Sequence, residues 1–246
     1  MRTPLRAWFS KYVAVQRNGQ AANSRLEAMA LRLRIDPGNH DYASALFNTL
    51  YSDPDKFLDV LDLSLRLHDN EAAVPSLQNT LTLGASVWAV SEHGRSLVRR
   101  VSPTETIQFA NVVSVEDSAS EHLQAAWTAV YGLHPDPSAA WDDCIKACEA
   151  VLKPIVIGQA TMGGVVGTLR GAPSQFTLHL RDNATDPTKR VVPMTAFEQM
   201  LHFIWVNPDR HQGADHRVPT REEARAVLHI AITVVEWVRT KILTKP

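Results

Sequence analysis

A mainly α-helical protein with a small β-hairpin in its first half is the fold class that the sequence predicts. Two observations carry it. Apolar residues recur at intervals of three and four along much of the chain, most clearly at Ala224, Val227, Leu228, Ala231, Val234, Val235 and Val238, the period of a helix with one buried face. Around Ser86–Val101 the pattern changes to alternation, the period of a strand.

The 246 residues, 45% of them apolar, suffice for one large or two small domains with a sizeable core. A formal net charge of −1 gives no global field toward nucleic acid or an anionic membrane, so any nucleic-acid contact must be local. The start of the chain has Arg2, Arg6 and Lys11 among its apolar residues, and no run approaches the roughly 20 residues that span a bilayer. A cytoplasmic protein that does not engage a membrane is expected. Cys144 and Cys148 are the only cysteines; one helical turn apart, they share a face, are poorly placed for a disulfide and are expected to pack.

Taken in order, residues 20–34 predict an amphipathic helix carrying Leu26, Met29, Ala30 and Leu33, stopped at Asp36-Pro37-Gly38-Asn39. Helices over 42–50 and 54–67 follow, joined by Ser52-Asp53-Pro54, and Leu77, Leu81 and Leu83 continue the layer. The hairpin pairs Ser86–Val90 with Ser96–Val101 about a Glu92-His93-Gly94 turn, and Pro103 ends it. Its Arg95, Arg99 and Arg100 form either a solvated polar face or a phosphate contact. Glu116-Asp117-Ser118 opens a denser helical region, which places a domain boundary between 115 and 116. The first domain, 1–115, is helical with the hairpin and is expected to sense, regulate or bind a partner. The second, 116–246, has helices over 119–131, 138–155, 162–169 and 194–206, a polar loop over 176–193, and a final helix capped by Thr220 with Glu223 at the capping-box spacing.

Reactive side chains crowd into Asn207–His216, Asn-Pro-Asp-Arg-His-Gln-Gly-Ala-Asp-His, just before that last helix. A polar loop on a rigid apolar helix can hold Arg, His and Asp in fixed relative positions. The same residues can instead cap the preceding helix and pair with one another to hold the loop. A metal is a third reading, since Asp209, His211, Asp215 and His216 are all possible ligands; so many ligands converge poorly from so short a loop and no Cys contributes, so neither metal nor cofactor is expected. Met162-Gly163-Gly164-Val165-Val166-Gly167 has no Lys after its last Gly and no strand leading in, which favours a close-packed helix start over a phosphate cradle.

Arg210 and His216, with five residues between them and His211 directly after the Arg, fit the Arg-x(4 to 6)-His motif of the HEPN superfamily. Asp209–His216 leading into a helix with Glu223-Ala224-Arg225 resembles the C-terminal region of abortive-infection proteins. His122–Trp127, Tyr131–Ala140, Ile145–Ala150 and Ala160–Gly163 look like the same bacterial group, so the resemblance covers about residues 118–243. It implies a HEPN-like helical bundle that commonly dimerises with its motifs facing across the interface. It also implies a metal-independent ribonuclease acting in antiphage defence or as a toxin, with RNA, including tRNA, as substrate and a defence-system protein as a further partner. Other members keep the fold without activity and would bind RNA, nucleotide or a partner protein. Where the abortive-infection pattern has Gly after the His, this chain has Arg217, a cation that either adds a phosphate contact or crowds the site.

RNA carries its own nucleophile, the ribose 2′-hydroxyl. His216 can take its proton or protonate the leaving oxygen, and Arg210 offers a planar fork to two non-bridging phosphate oxygens. His211 reads as a substrate contact, a support for the pair or a second proton carrier. Gly213 lets the loop fold Arg210 toward His216. Asp209 and Asp215 support the loop, and Glu149 either orients Arg210 from an earlier helix or is a helix-surface carboxylate.

Overall fold

A computed structural model describes residues 2–14, 19–67, 72–183, 186, 191–209 and 217–245. The chain forms two compact units, Met1–Val101 with Tyr131–Leu133, and Ser102–Val130 with His134–Pro246. It is mainly helical with a small antiparallel hairpin, the class read from the sequence. The division falls at Val101/Ser102 rather than 115/116, because a helix over Pro103–Val113 belongs with the second unit.

The first unit contains α1 (Arg2–Tyr12), α2 (Gly19–Arg32), α3 (Tyr42–Ser52), α4 (Pro54–Leu67) and α5 (Ala73–Leu83), then β1 (Trp88–Val90) and β2 (Leu97–Arg99). The sequence reading contained no α1, yet Leu5, Trp8 and Phe9 are helically spaced and buried. The Trp8 indole N–H also donates to the Ala73 carbonyl at 2.8 Å. Asp41 caps α3 by accepting from Ser44 N–H at 2.9 Å, and Asp53 accepts from Lys56 N–H at 3.0 Å ahead of Pro54, so short acidic side chains satisfy the exposed first-turn donors. Phe9 and Phe57, whose ring centroids lie 6.3 Å apart, lie in the core with Phe47 packed against both.

The hairpin pairs Trp88 with Arg99, Ala89 with Val98 and Val90 with Leu97; Gly94 takes a φ of +68° at its turn, where a side chain would be strained. Asp62, on α4, accepts from the buried Leu97 N–H at 2.7 Å and pairs with Arg66 at 2.6 Å, fixing the strand to the helix. Of the basic run, Arg100 bonds the Ser86 carbonyl and the Thr82 hydroxyl, while Arg95 and Arg99 are exposed.

The second unit contains α6 (Pro103–Val113), α7 (Ser118–Tyr131, whose last residue is grouped with the first unit), α8 (Pro137–Leu152), α9 (Met162–Gly171), a 3₁₀ turn at Pro173–Gln175, β3 (Thr177–Leu178), α10 (Pro193–Trp205), α11 (Arg221–Arg239) and β4 (Leu243–Thr244). Ser102 and Glu105 form a reciprocal capping box with Pro103 at the first turn of α6, so the proline that ends the hairpin also starts a helix. Ala224, Val227, Leu228, Ala231, Ile232, Val234 and Val235 of α11 are buried, and α8 is its main neighbour. At its far end Arg239 donates to Asp117, to the Ser120 hydroxyl and to the Val112 carbonyl. Trp141 of α8, itself buried, donates its indole N–H to the Ile204 carbonyl at 2.7 Å.

Part of the stretch read as a polar loop is β3, with Phe176 and Leu178 buried and Leu178 paired with Leu243 of β4. Cys144 and Cys148 are free, buried side by side on α8, with thiols pushed up by burial. Gly163 is glycine for packing: a Cβ there would lie 2.8 Å from the Trp205 ring.

Candidate active site

The segment singled out as a site joins α10 to α11, and its shoulders are built from local hydrogen bonds. α10 ends as Val206 N–H bonds the His202 carbonyl. Asn207, only 4% exposed, then accepts the Asp209 N–H at 2.9 Å through its side-chain oxygen, an Asx turn that redirects the chain. On the far side Arg217 N–H donates to the Pro208 carbonyl at 3.4 Å, joining the two ends of the segment. Thr220 caps α11, its hydroxyl accepting Glu223 N–H at 3.2 Å while Glu223 accepts Thr220 N–H at 2.8 Å. The Arg217 guanidinium lies on the same carboxylate, with bonds of 2.7 and 2.5 Å. One glutamate thus caps the helix and clasps the end of the segment.

That clasp has an electrostatic signature. Glu223 is held down to about 2 from its ordinary value of 4.5, first by the Arg217 guanidinium and then by the Thr220 N–H, and Arg217 is raised in turn by Glu223. A carboxylate whose folded pKa is depressed stabilises the fold fully above its unfolded pKa and loses that contribution as pH falls through its folded value. Hydrogen-exchange protection of the first turn of α11 is therefore expected to exceed that of a Glu223→Gln variant above about pH 4.5, with the difference shrinking as pH falls below that and vanishing only below about pH 2. An unchanged difference across that window would mean the charge does not hold the clasp.

Of the residues singled out in the sequence, Arg210, His211, Gly213, Asp215 and His216 lie outside the described residues. Asp209, Arg217 and Glu149 are described. Arg217 is engaged by Glu223, so a phosphate contact by Arg217 would compete with the clasp. Glu149 is engaged at both oxygens: one accepts the Met162 N–H at the start of α9 at 2.6 Å, the other pairs with Lys153 at 2.8 Å. Its described role is to fasten α9 to α8.

Other charged groupings join residues far apart in sequence. On α7 and α8, His122 Nδ1 lies 3.0 Å from Asp143 Oδ1, with Lys146 Nζ 3.5 Å from the same oxygen. Between α6 and α11, Glu105 lies 2.6 Å from Arg225 and 3.4 Å from His229, whose imidazole is pushed down by burial against the opposing pull of Glu105. Arg170 of α9 directs two N–H groups at one oxygen of the buried Glu198 on α10. No periodicity signals the pairs between helices, because their members lie 21 to 124 residues apart. Among the described residues, no three His, Cys, Asp or Glu side chains gather as a metal site, and no helix is long and apolar enough to cross a membrane. No family model matches the chain, nor does any curated protein or solved structure.

Proposed function

We propose that the chain is a metal-independent endoribonuclease of the HEPN type, with Arg210 and His216 as its catalytic pair and bacterial antiphage defence as its setting. The observation that best supports this reading is the anchoring of the motif's flanks. The run from Arg210 to His216 is strung between Asp209, held by Asn207, and Arg217, held by Glu223 and bonded to Pro208. Fixed shoulders on buried helices are what a site that positions an arginine and a histidine around one phosphate requires.

In the proposed reaction His216 accepts the proton of the ribose 2′-hydroxyl as its oxygen attacks phosphorus. The phosphorus–O5′ bond breaks, and the departing oxygen takes a proton to leave a 5′-hydroxyl and a 2′,3′-cyclic phosphate. Arg210 stabilises the charge on the non-bridging oxygens as phosphorus becomes five-coordinate. One histidine cannot easily give and take at once, so a second His216 from a symmetric homodimer, or His211, supplies the other proton transfer. Purified protein incubated with transfer RNA in excess chelator is expected to cleave at the same rate as without chelator. Loss of cleavage on chelation, restored by a divalent cation, would contradict the metal-independent mechanism.

A second reading, a catalytically silent module that binds RNA, nucleotide or a partner protein, has its own observation. Arg217 and Glu149, each considered for the site, make contacts that folding alone explains. Under this reading no RNA is cleaved under any of these conditions.

A further inference from the structure

The second unit holds a pocket of about 300 Å³ between the chain after β3 and the helices α10 and α11. This is the low end of the roughly 300–1,000 Å³ typical of small-molecule sites. Its inner wall is apolar: Leu178 from β3, Phe197 and Met200 from α10, and Trp237 from α11. Phe197 and Trp237 lie nearly parallel there, at 27° with centroids 6.1 Å apart. The rim differs in character. Leu180 and Val191 are about half exposed, and Asp182 commits one carboxylate oxygen to the Val191 N–H, tying the two sides of the mouth together. Arg181 is exposed on the same rim and makes no hydrogen bond or ion pair with another described residue.

Apolar walls that leave large side chains exposed at a concave mouth mark a binding surface rather than ordinary surface scatter. We propose that this pocket binds a small amphipathic carboxylate, its apolar body against Leu178, Met200 and Trp237 and its carboxylate on Arg181. Charge complementarity selects the class. A guanidinium at the rim matches a carboxylate through paired N–H donors, and an interior lined mainly by apolar side chains buries an apolar body. The lining of this pocket includes none of Asn207, Asp209 and Arg217, and the proposal does not rest on the nuclease reading.

The test is calorimetric titration of the full chain with decanoate below its micellar concentration, beside decanol as the uncharged probe of the same length. One-to-one binding of decanoate is expected, with decanol weaker. Arg181→Gln is expected to weaken decanoate by roughly tenfold or more while leaving decanol unchanged. Ala196→Trp, which projects a large side chain into the pocket from its lining, is expected to remove both. Met200→Trp serves as the second filled variant if Ala196→Trp does not melt as wild type. No binding of decanoate, binding that survives in a filled and folded variant, or equal affinity for both probes with no effect of Arg181→Gln would each overturn the proposal.

Discussion

A His216→Ala protein is expected to melt as wild type and to cleave RNA roughly 10²- to 10⁴-fold more slowly, the range that a positioned proton carrier contributes. The two halves of that expectation come from different parts of the chain. Folding at the start of α11 is secured by Thr220, Glu223 and Arg217, none of which requires the imidazole. Cleavage by internal attack requires a group that titrates near neutrality, and histidine does so without help. The measurement is the initial rate on transfer RNA beside the thermal midpoint. Equal rates in wild type and variant would assign any observed cleavage to another site or to a contaminant.

Trp141→Ala is expected to be the most damaging single change to the second unit, lowering its stability by about 3–5 kcal/mol, as for other buried large aromatics. The side chain is nearly inaccessible, on the α8 face that carries buried Ala140, Cys144, Ile145 and Cys148. Its indole N–H also occupies the Ile204 carbonyl, in the last turn of α10, where a main-chain acceptor has no partner within the helix. Trp141→Phe keeps most of the packing and leaves that carbonyl without its donor, a loss of about 1–3 kcal/mol. Chemical denaturation of both variants checks the order. Because Ile204 stands just before the Asn207 turn, Trp141→Phe is also expected to lower the cleavage rate well below its midpoint temperature. A variant less stable yet equally active would separate the packing of α10 from the geometry of the loop.

Legibility in the sequence followed the range of the forces involved. α11 could be read almost residue by residue, because a three-and-four repeat of apolar side chains and a Thr-x-x-Glu cap are local signals. The hairpin was legible for the same reason, its alternation being intrinsic to paired strands. α1 was not, although Leu5, Trp8 and Phe9 have the spacing, because Arg6 and Lys11 break the apolar run on the solvent side. α6 went unread because Pro103 ends one element and begins the next, and only the pairing of Ser102 with Glu105 distinguishes the two roles. The position of the division between units followed from that one helix. β3 and β4 are two residues each, with 64 residues between their nearest ends, so no local pattern announces them.

For the candidate site, the position of the motif between the end of α10 and the start of α11 was legible. The partners of Arg217 and Glu149 were not. Glu223 was read as a cap, and its second function as the Arg217 partner depends on the chain turning back at Pro208. Glu149 reaches Met162 across the turn from α8 to α9, a contact that helix spacing does not encode.

The most direct test of the nuclease reading is the chemistry of the cut ends. Transfer RNA is incubated in excess chelator with wild type, Arg210→Ala and His216→Ala proteins, and the products are resolved by end group. The predicted result is 2′,3′-cyclic phosphate and 5′-hydroxyl ends from wild type, with both variants producing almost none. Ends carrying 5′-phosphate and 3′-hydroxyl, or cyclic ends formed equally by the variants, would contradict it.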